Sequence, residues 1–157
     1  MRINQIITEN NKEDIKQKYY YHGSFDNLPV GTVLTPRYDN YENDWKNTDF
    51  YTILEKYKPN NMLSHKESVF MVDNEDDIDI AGGATDYIFT LKPLGPIQKH
   101  DLNWSSEISA LVSEGYNINS PEIINAANNY WNGIPHHDEN VWEYLTTKAI
   151  IVKVEEY

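Results

Sequence analysis

An imidazole and a hydroxyl stand on alternate residues in Tyr21-His22-Gly23-Ser24, and Leu28-Pro29-Val30-Gly31-Thr32-Val33-Leu34-Thr35-Pro36 follows closely. The pattern reads as a strand presenting His22 and Ser24 to a pocket, not as a metal or phosphate motif. A half-buried strand histidine is the ordinary alternative. His136-His137-Asp138, with His100 or His65 brought in by folding, has donor types that suit a divalent cation. Adjacent histidines rarely face one ion together, so the reading is a polar loop without a metal. Asp73, Glu75, Asp76, Asp77 and Asp79 lack the glycine and closing glutamate of a calcium loop and suit the start of a helix instead.

Those residues need elements to position them. Tyr19 to Ser24 has the aromatic content of a strand, and Gly31 suggests a turn into a second short strand stopped by Pro36. Residues 1–18 read as a lead-in with a short helix over Glu13 to Lys18. Arg37 to Asp49 reads as a long loop rich in Asn, Asp and Tyr. Thr48 is placed to cap a helix over Asp49 to Tyr57 that ends at Pro59. Ser68-Val69-Phe70-Met71-Val72 reads as a short buried strand, followed by a helical turn through Ile78 and Ala81 that Gly82 terminates.

Tyr87 to Leu91 alternates as a strand, with Pro93, Gly95 and Pro96 forbidding its regular continuation. Ser105 or Ser106 opens a helix that carries Ile108, Leu111 and Val112 on one face. Ser120-Pro121-Glu122 opens another with proline at its first position. Ala149-Ile150-Ile151-Val152-Lys153-Val154 reads as a last strand. Short strands broken by short helices predict an α+β domain over 19–157. There is no Gly-x-Gly-x-x-Gly, and Gly82-Gly83 sits at a helix end, so a Rossmann site is set aside.

Composition narrows the function classes. The 157 residues are one domain by length. A mean hydropathy of -0.68 with 39% hydrophobic residues describes a folded globule with a polar surface. The formal charge of -12 repels phosphate backbones and anionic lipid, so bulk nucleic-acid binding and a membrane role are not expected. A basic partner, or mimicry of a nucleic acid, stays compatible with it, beside the simpler reading that the charge keeps the protein soluble. The absence of cysteine removes disulfides and thiolate chemistry. With no spanning run and no secretion signal in view, a cytoplasmic location is expected.

Three blocks in order, the Tyr21 to Pro36 stretch, Ser68 to Ala81 and Tyr87 to Ile97, resemble the rifampin-type ADP-ribosyltransferases and, behind them, the His-Tyr-Glu branch of that superfamily. They span roughly a third of the chain. The resemblance implies a split, strongly bent pair of small antiparallel sheets with short peripheral helices and NAD, as co-substrate, folded in the cleft between them. It implies that His22 bonds the ribose beside nicotinamide, with Gly23 and Ser24 supporting the strand or the dinucleotide. Phe70 takes the place of an aromatic, usually Tyr, that stacks on nicotinamide; Phe keeps the apolar face and loses the hydroxyl.

Cleavage of the bond between nicotinamide and ribose builds positive charge on the sugar, which a fixed carboxylate stabilises. Asp101, just after the Gly-Pro block, is ranked first for that role and Glu143 second. Arg37 can reach a diphosphate, and the aromatic loop of Tyr38, Tyr41 and Trp45 can contact an acceptor. The expected activity is NAD-dependent mono-ADP-ribosyl transfer to an unidentified protein or small molecule. Two alternatives are an acidic binding or inhibitor protein on a degenerate form of the same scaffold, such as a phage effector or DNA mimic, and an NAD glycohydrolase.

Overall fold

A computed structural model describes residues 17–37, 48–81, 84 and 86–157. The expected lead-in helix, the Tyr38, Tyr41 and Trp45 loop and the Gly82-Gly83 helix end lie outside those residues, apart from Gln17 and Lys18, which form no helix. The strands are β1 (Tyr20–Ser24), β2 (Val33–Leu34), β3 (Val69–Val72), β4 (Tyr87–Pro93), β5 (Gln98–Asp101), β6 (Trp142–Thr146) and β7 (Ala149–Glu156). Three helices of eight or more residues accompany them: α1 (Asp49–Lys56), α3 (Asn103–Ser113) and α4 (Pro121–Trp131). A further α-helix among the described residues, α2 (Asp77–Ile80), is a single turn.

The seven strands form one antiparallel sheet in the order β2-β7-β4-β1-β3-β6-β5. The expectation of two separate sheets is corrected to one sheet with a weak seam. β1 pairs with β4 along its whole length, from Tyr20↔Leu91 to Ser24↔Tyr87. It meets β3 at one register pair alone, Tyr21↔Val72. Tyr20, Phe89, Leu91, Ala149 and Ile151 from one side of that seam share an apolar cluster with Val69, Met71 and Tyr144 from the other. Burying both sets together holds the two halves against each other across a seam that a single ladder pair joins.

The helices cover the β3-β6-β5 half. Ile53 and Leu54 of α1, Trp104 and Ile108 of α3, and Ile123, Ala126, Ala127, Tyr130 and Trp131 of α4 make a second core. The α4 stripe follows helical spacing, and its start is set by Pro121 at the first position with the Ser120 hydroxyl accepting the Ile123 amide. α3 begins at Asn103, ahead of the expected Ser105, because the Asp101 carboxylate accepts the Asn103 amide. β5 has no counterpart in the sequence reading: Gln98-Lys99-His100-Asp101 is short and polar, yet it pairs with β6 from Gln98↔Leu145 to Asp101↔Trp142.

Gly23 carries a constraint of its own. A Cβ there would lie 2.0 Å from the Ala84 carbonyl oxygen and 2.7 Å from Ile78 Cγ2, so no larger residue fits without displacing main chain. Among the described residues, no helix is long and apolar enough to cross a membrane.

Candidate functional site

A cavity of about 430 Å³, lined by residues of both β1 and β3, lies beside their seam, within the size range of small-ligand pockets. Its lining includes His22, Arg37, Phe70 and Glu143, which come from four separate segments. Phe25 is 73% exposed and lies with Arg37 at the open end, whereas Tyr51, His65 and Glu143 are buried and form the floor.

His22 projects from β1 and donates from Nδ1 to the Phe70 main-chain carbonyl at 2.7 Å, bridging the seam. Nε2 is thereby left as an acceptor. Burial pushes the imidazole below its ordinary pKa; the Phe70 carbonyl opposes this, and the Arg37 charge adds to it. The ring packs face to face with Phe89 at 6.2 Å. His22 is thus a neutral, oriented hydrogen-bond acceptor at neutral pH. Ser24 uses its hydroxyl locally: Oγ donates to the Asp26 carbonyl and accepts the Asp26 amide, both at 3.0 Å, fixing the turn after β1. Phe70, half-buried, stacks on His65 at 6.0 Å and also lines the cavity.

Asp101 lies elsewhere. It is fully buried, and its two oxygens accept from the amides of Asn103, His136 and Val141 and from the Asn140 side chain. Four donors fix the start of α3 and the loop before β6, and Asp101 does not line the cavity. The first-ranked carboxylate is therefore a structural residue by geometry. Glu143, ranked second, is the carboxylate at the cavity floor. Burial raises its pKa to about 7 against the Tyr130 hydrogen bond, which opposes the shift.

Beneath Glu143 a chain of polar groups runs outward. Glu143 Oε2 and the Tyr130 hydroxyl are 3.2 Å apart, Tyr130 and His65 Nε2 are 2.7 Å apart, and His65 Nδ1 is 2.8 Å from Glu55 Oε1. Glu55 also accepts the His65 amide at 2.7 Å and the Ser64 hydroxyl at 3.2 Å. No protein-family model and no curated protein matches this chain.

The sequence reading did not single out Tyr51, Glu55 or Tyr130, and it weighed His65 only as a metal ligand. Tyr130 had a readable signal. The helical spacing Ile123, Ala126, Ala127, Tyr130 puts it on the buried stripe, where a phenol must find a polar partner. His65 had none, because it sits in a short 3-10 turn, His65–Glu67, that no periodicity marks.

His136 and His137 do meet an acidic residue in space. Glu107 of α3 and the two histidines place one potential ligand atom each within 4.8 Å of one another. The His136 tautomer decides how that cluster works. Its Nδ1 accepts the Asp138 amide at 3.2 Å, so the ring proton sits on Nε2, which faces Glu107 Oε1 at 3.2 Å. The lone pair a cation needs is then absent from the nitrogen that faces the carboxylate. With Trp104 edge-on to the ring at 4.6 Å and its indole N–H donating to the Ile134 carbonyl, the group anchors the loop to α3.

Proposed function

We propose that the cavity binds NAD and that the protein transfers ADP-ribose from it to an acceptor, releasing nicotinamide, on an ADP-ribosyltransferase-like scaffold. One observation carries the reading: His22, Arg37, Phe70 and Glu143, drawn from four segments, line a single cavity beside the β1–β3 seam. In this reading the His22 Nε2 acceptor takes a ribose hydroxyl, and the Phe70 ring stacks on nicotinamide. The Arg37 guanidinium at the mouth pairs with diphosphate oxygens, a local cation in a chain of net charge -12. Glu143 in its carboxylate form faces the sugar as positive charge builds, doing the work first sought from Asp101.

The test offers labelled NAD to the purified protein with cell lysate, alongside His22→Ala and Glu143→Gln. Wild type binds NAD and labels an acceptor or releases ADP-ribose, and both variants lose the reaction. Free ADP-ribose without any acceptor assigns the protein as a glycohydrolase. Absence of both binding and reaction in wild type sinks the proposal.

A second reading has its own support: Phe70 lacks a hydroxyl, and burial raises the Glu143 pKa to about 7, disfavouring its charged form. Both suit a degenerate scaffold that engages a basic partner through its acidic surface. Recovery of a stoichiometric partner equally by wild type and His22→Ala, without NAD, favours it.

A further inference from the structure

The geometry points to a proton relay in which Tyr130 and His65 connect the Glu143 carboxyl at the cavity floor to Glu55 at the protein surface. Three contacts of 3.2, 2.7 and 2.8 Å link Glu143, Tyr130, His65 and Glu55 in series. Each contact holds one hydrogen atom, so the chain needs three. Tyr130 supplies one and a neutral His65 supplies one. The third must reside on Glu143 or make His65 an imidazolium, since Glu55 accepts from His65 Nδ1, the His65 amide and Ser64 together.

Both placements satisfy every contact. In the first, Glu143 donates to the Tyr130 oxygen, Tyr130 donates to His65 Nε2, and His65 Nδ1 donates to Glu55. In the second, the Glu143 O–H bond has broken, its proton has joined the Tyr130 oxygen, and the proton Tyr130 held has joined His65 Nε2. The tyrosine is unchanged, Glu143 is a carboxylate, and His65 is an imidazolium paired with Glu55. The Glu55 side chain is 22% exposed while the His65 side chain is fully buried, so the outer end of the chain meets solvent.

The neighbouring charged and titratable groups set the resting placement. His65 faces Glu55 and feels Lys58, both of the α1 region, while Tyr51 of α1 lies edge-on at 4.5 Å. From β5, His100 stacks on Tyr130 at 4.5 Å, with Nδ1 donating to the Tyr130 carbonyl. His22 and Arg37 lie across the cavity. Burial lowers the His65 pKa despite Glu55 and raises that of Glu143, so the proton rests on Glu143 when the cavity holds no cation. A positive charge in the cavity reverses that preference, since the second placement moves one positive charge away from it. This functional use rests on the proposed NAD reading, whose sugar becomes cationic. The relay then supplies the carboxylate at the moment it is needed, with Tyr130 and His65 as positioning residues.

The experiment is a pH titration of ligand-free protein by nitrogen-15 NMR of the histidine rings and carbon-13 NMR of glutamate carboxyls, for wild type, Tyr130→Phe and Glu143→Gln. In wild type the His65 Nε2 resonance steps at the midpoint of Glu143, because Tyr130 turns its O–H from His65 to the new carboxylate. The step is absent from both variants. A His65 resonance that stays flat through the Glu143 midpoint in wild type overturns the relay, as does a step that survives in Glu143→Gln. Should Tyr130→Phe not fold, wild type against Glu143→Gln decides alone. A ligand-free step in a protein that ignores NAD removes the NAD reading and leaves the relay. NAD turnover without the step removes the relay and leaves the reading.

Discussion

Two buried carboxylates, Asp101 and Glu143, are paired with opposite kinds of neighbour, and that difference assigns their work. Asp101 accepts from four donors, which fix its carboxylate oxygens in place inside the structure. Its replacement in Asp101→Asn turns one oxygen into an NH2 group facing donors. The expected loss is about 1–3 kcal/mol of stability, measured by thermal or urea unfolding, with NAD turnover per folded molecule unchanged. Turnover that collapses while stability holds would move Asp101 back to the site. Among the described residues Glu143 shares one hydrogen bond, with the Tyr130 hydroxyl at 3.2 Å, and burial raises its pKa to about 7. If its carboxylate stabilises the sugar cation, nicotinamide release rises as pH increases through about 7. Glu143→Gln should then cost about 10²-fold in rate above about pH 7 and progressively less as pH falls below it. A pH-independent wild-type rate would contradict this assignment.

At the scale of elements, β1 shows why the site's position was legible and its shape was not. The strand Tyr20–Ser24 and its partner β4 follow from aromatic and alternating residues, and α4 follows from Ser120-Pro121 and helical spacing. His22, Phe70 and Arg37 could therefore be nominated from the chain alone, each near a recognisable element. The polar strand β5 could not, because its pairing with β6 is a tertiary contact that Gln98-Lys99-His100-Asp101 does not advertise. The same blindness hides where the carboxylates go: the order along the chain favours Asp101, and only the folded chain puts Glu143 in the cavity lining and Asp101 outside it. Gly23 offers the sharpest element-scale test. Gly23→Ala forces a methyl against the Ala84 carbonyl and Ile78, separating α2 from β1. The expected loss is about 1–3 kcal/mol with weakened ligand binding, read by unfolding and by NAD titration; an unchanged melting temperature would show that the main chain near Ala84 yields freely.

For the molecule as a whole, stability against pH is set by opposed buried groups. The Glu143 pKa is about 7 when folded against 4.5 ordinarily. Its contribution is complete below about pH 4.5 and is lost as pH rises through about 7. The His100 pKa is about 4 when folded against 6.5, mainly through burial, so its contribution is present above pH 6.5 and is lost as pH falls through about 4. The two shifts are similar in size, each on the order of 3 kcal/mol, and they oppose each other between pH 4.5 and 6.5. Glu143→Gln removes one side of that balance. Its melting temperature should fall more steeply than that of wild type as pH is lowered from 6.5 to 4.5, followed by circular dichroism. Parallel curves for the two proteins would show that Glu143 does not carry the shift.

The single ladder pair between Tyr21 and Val72 has one more effect. Beside that pair the Phe70 carbonyl of β3 accepts the His22 ring N–H from β1, so a peptide group of the cavity lining takes part in a polar contact there. Recognition built on peptide groups depends on the course of the chain and only weakly on which side chain each position bears. Substitutions around the cavity can therefore alter its side-chain selectivity while the contacts made by its peptide groups persist.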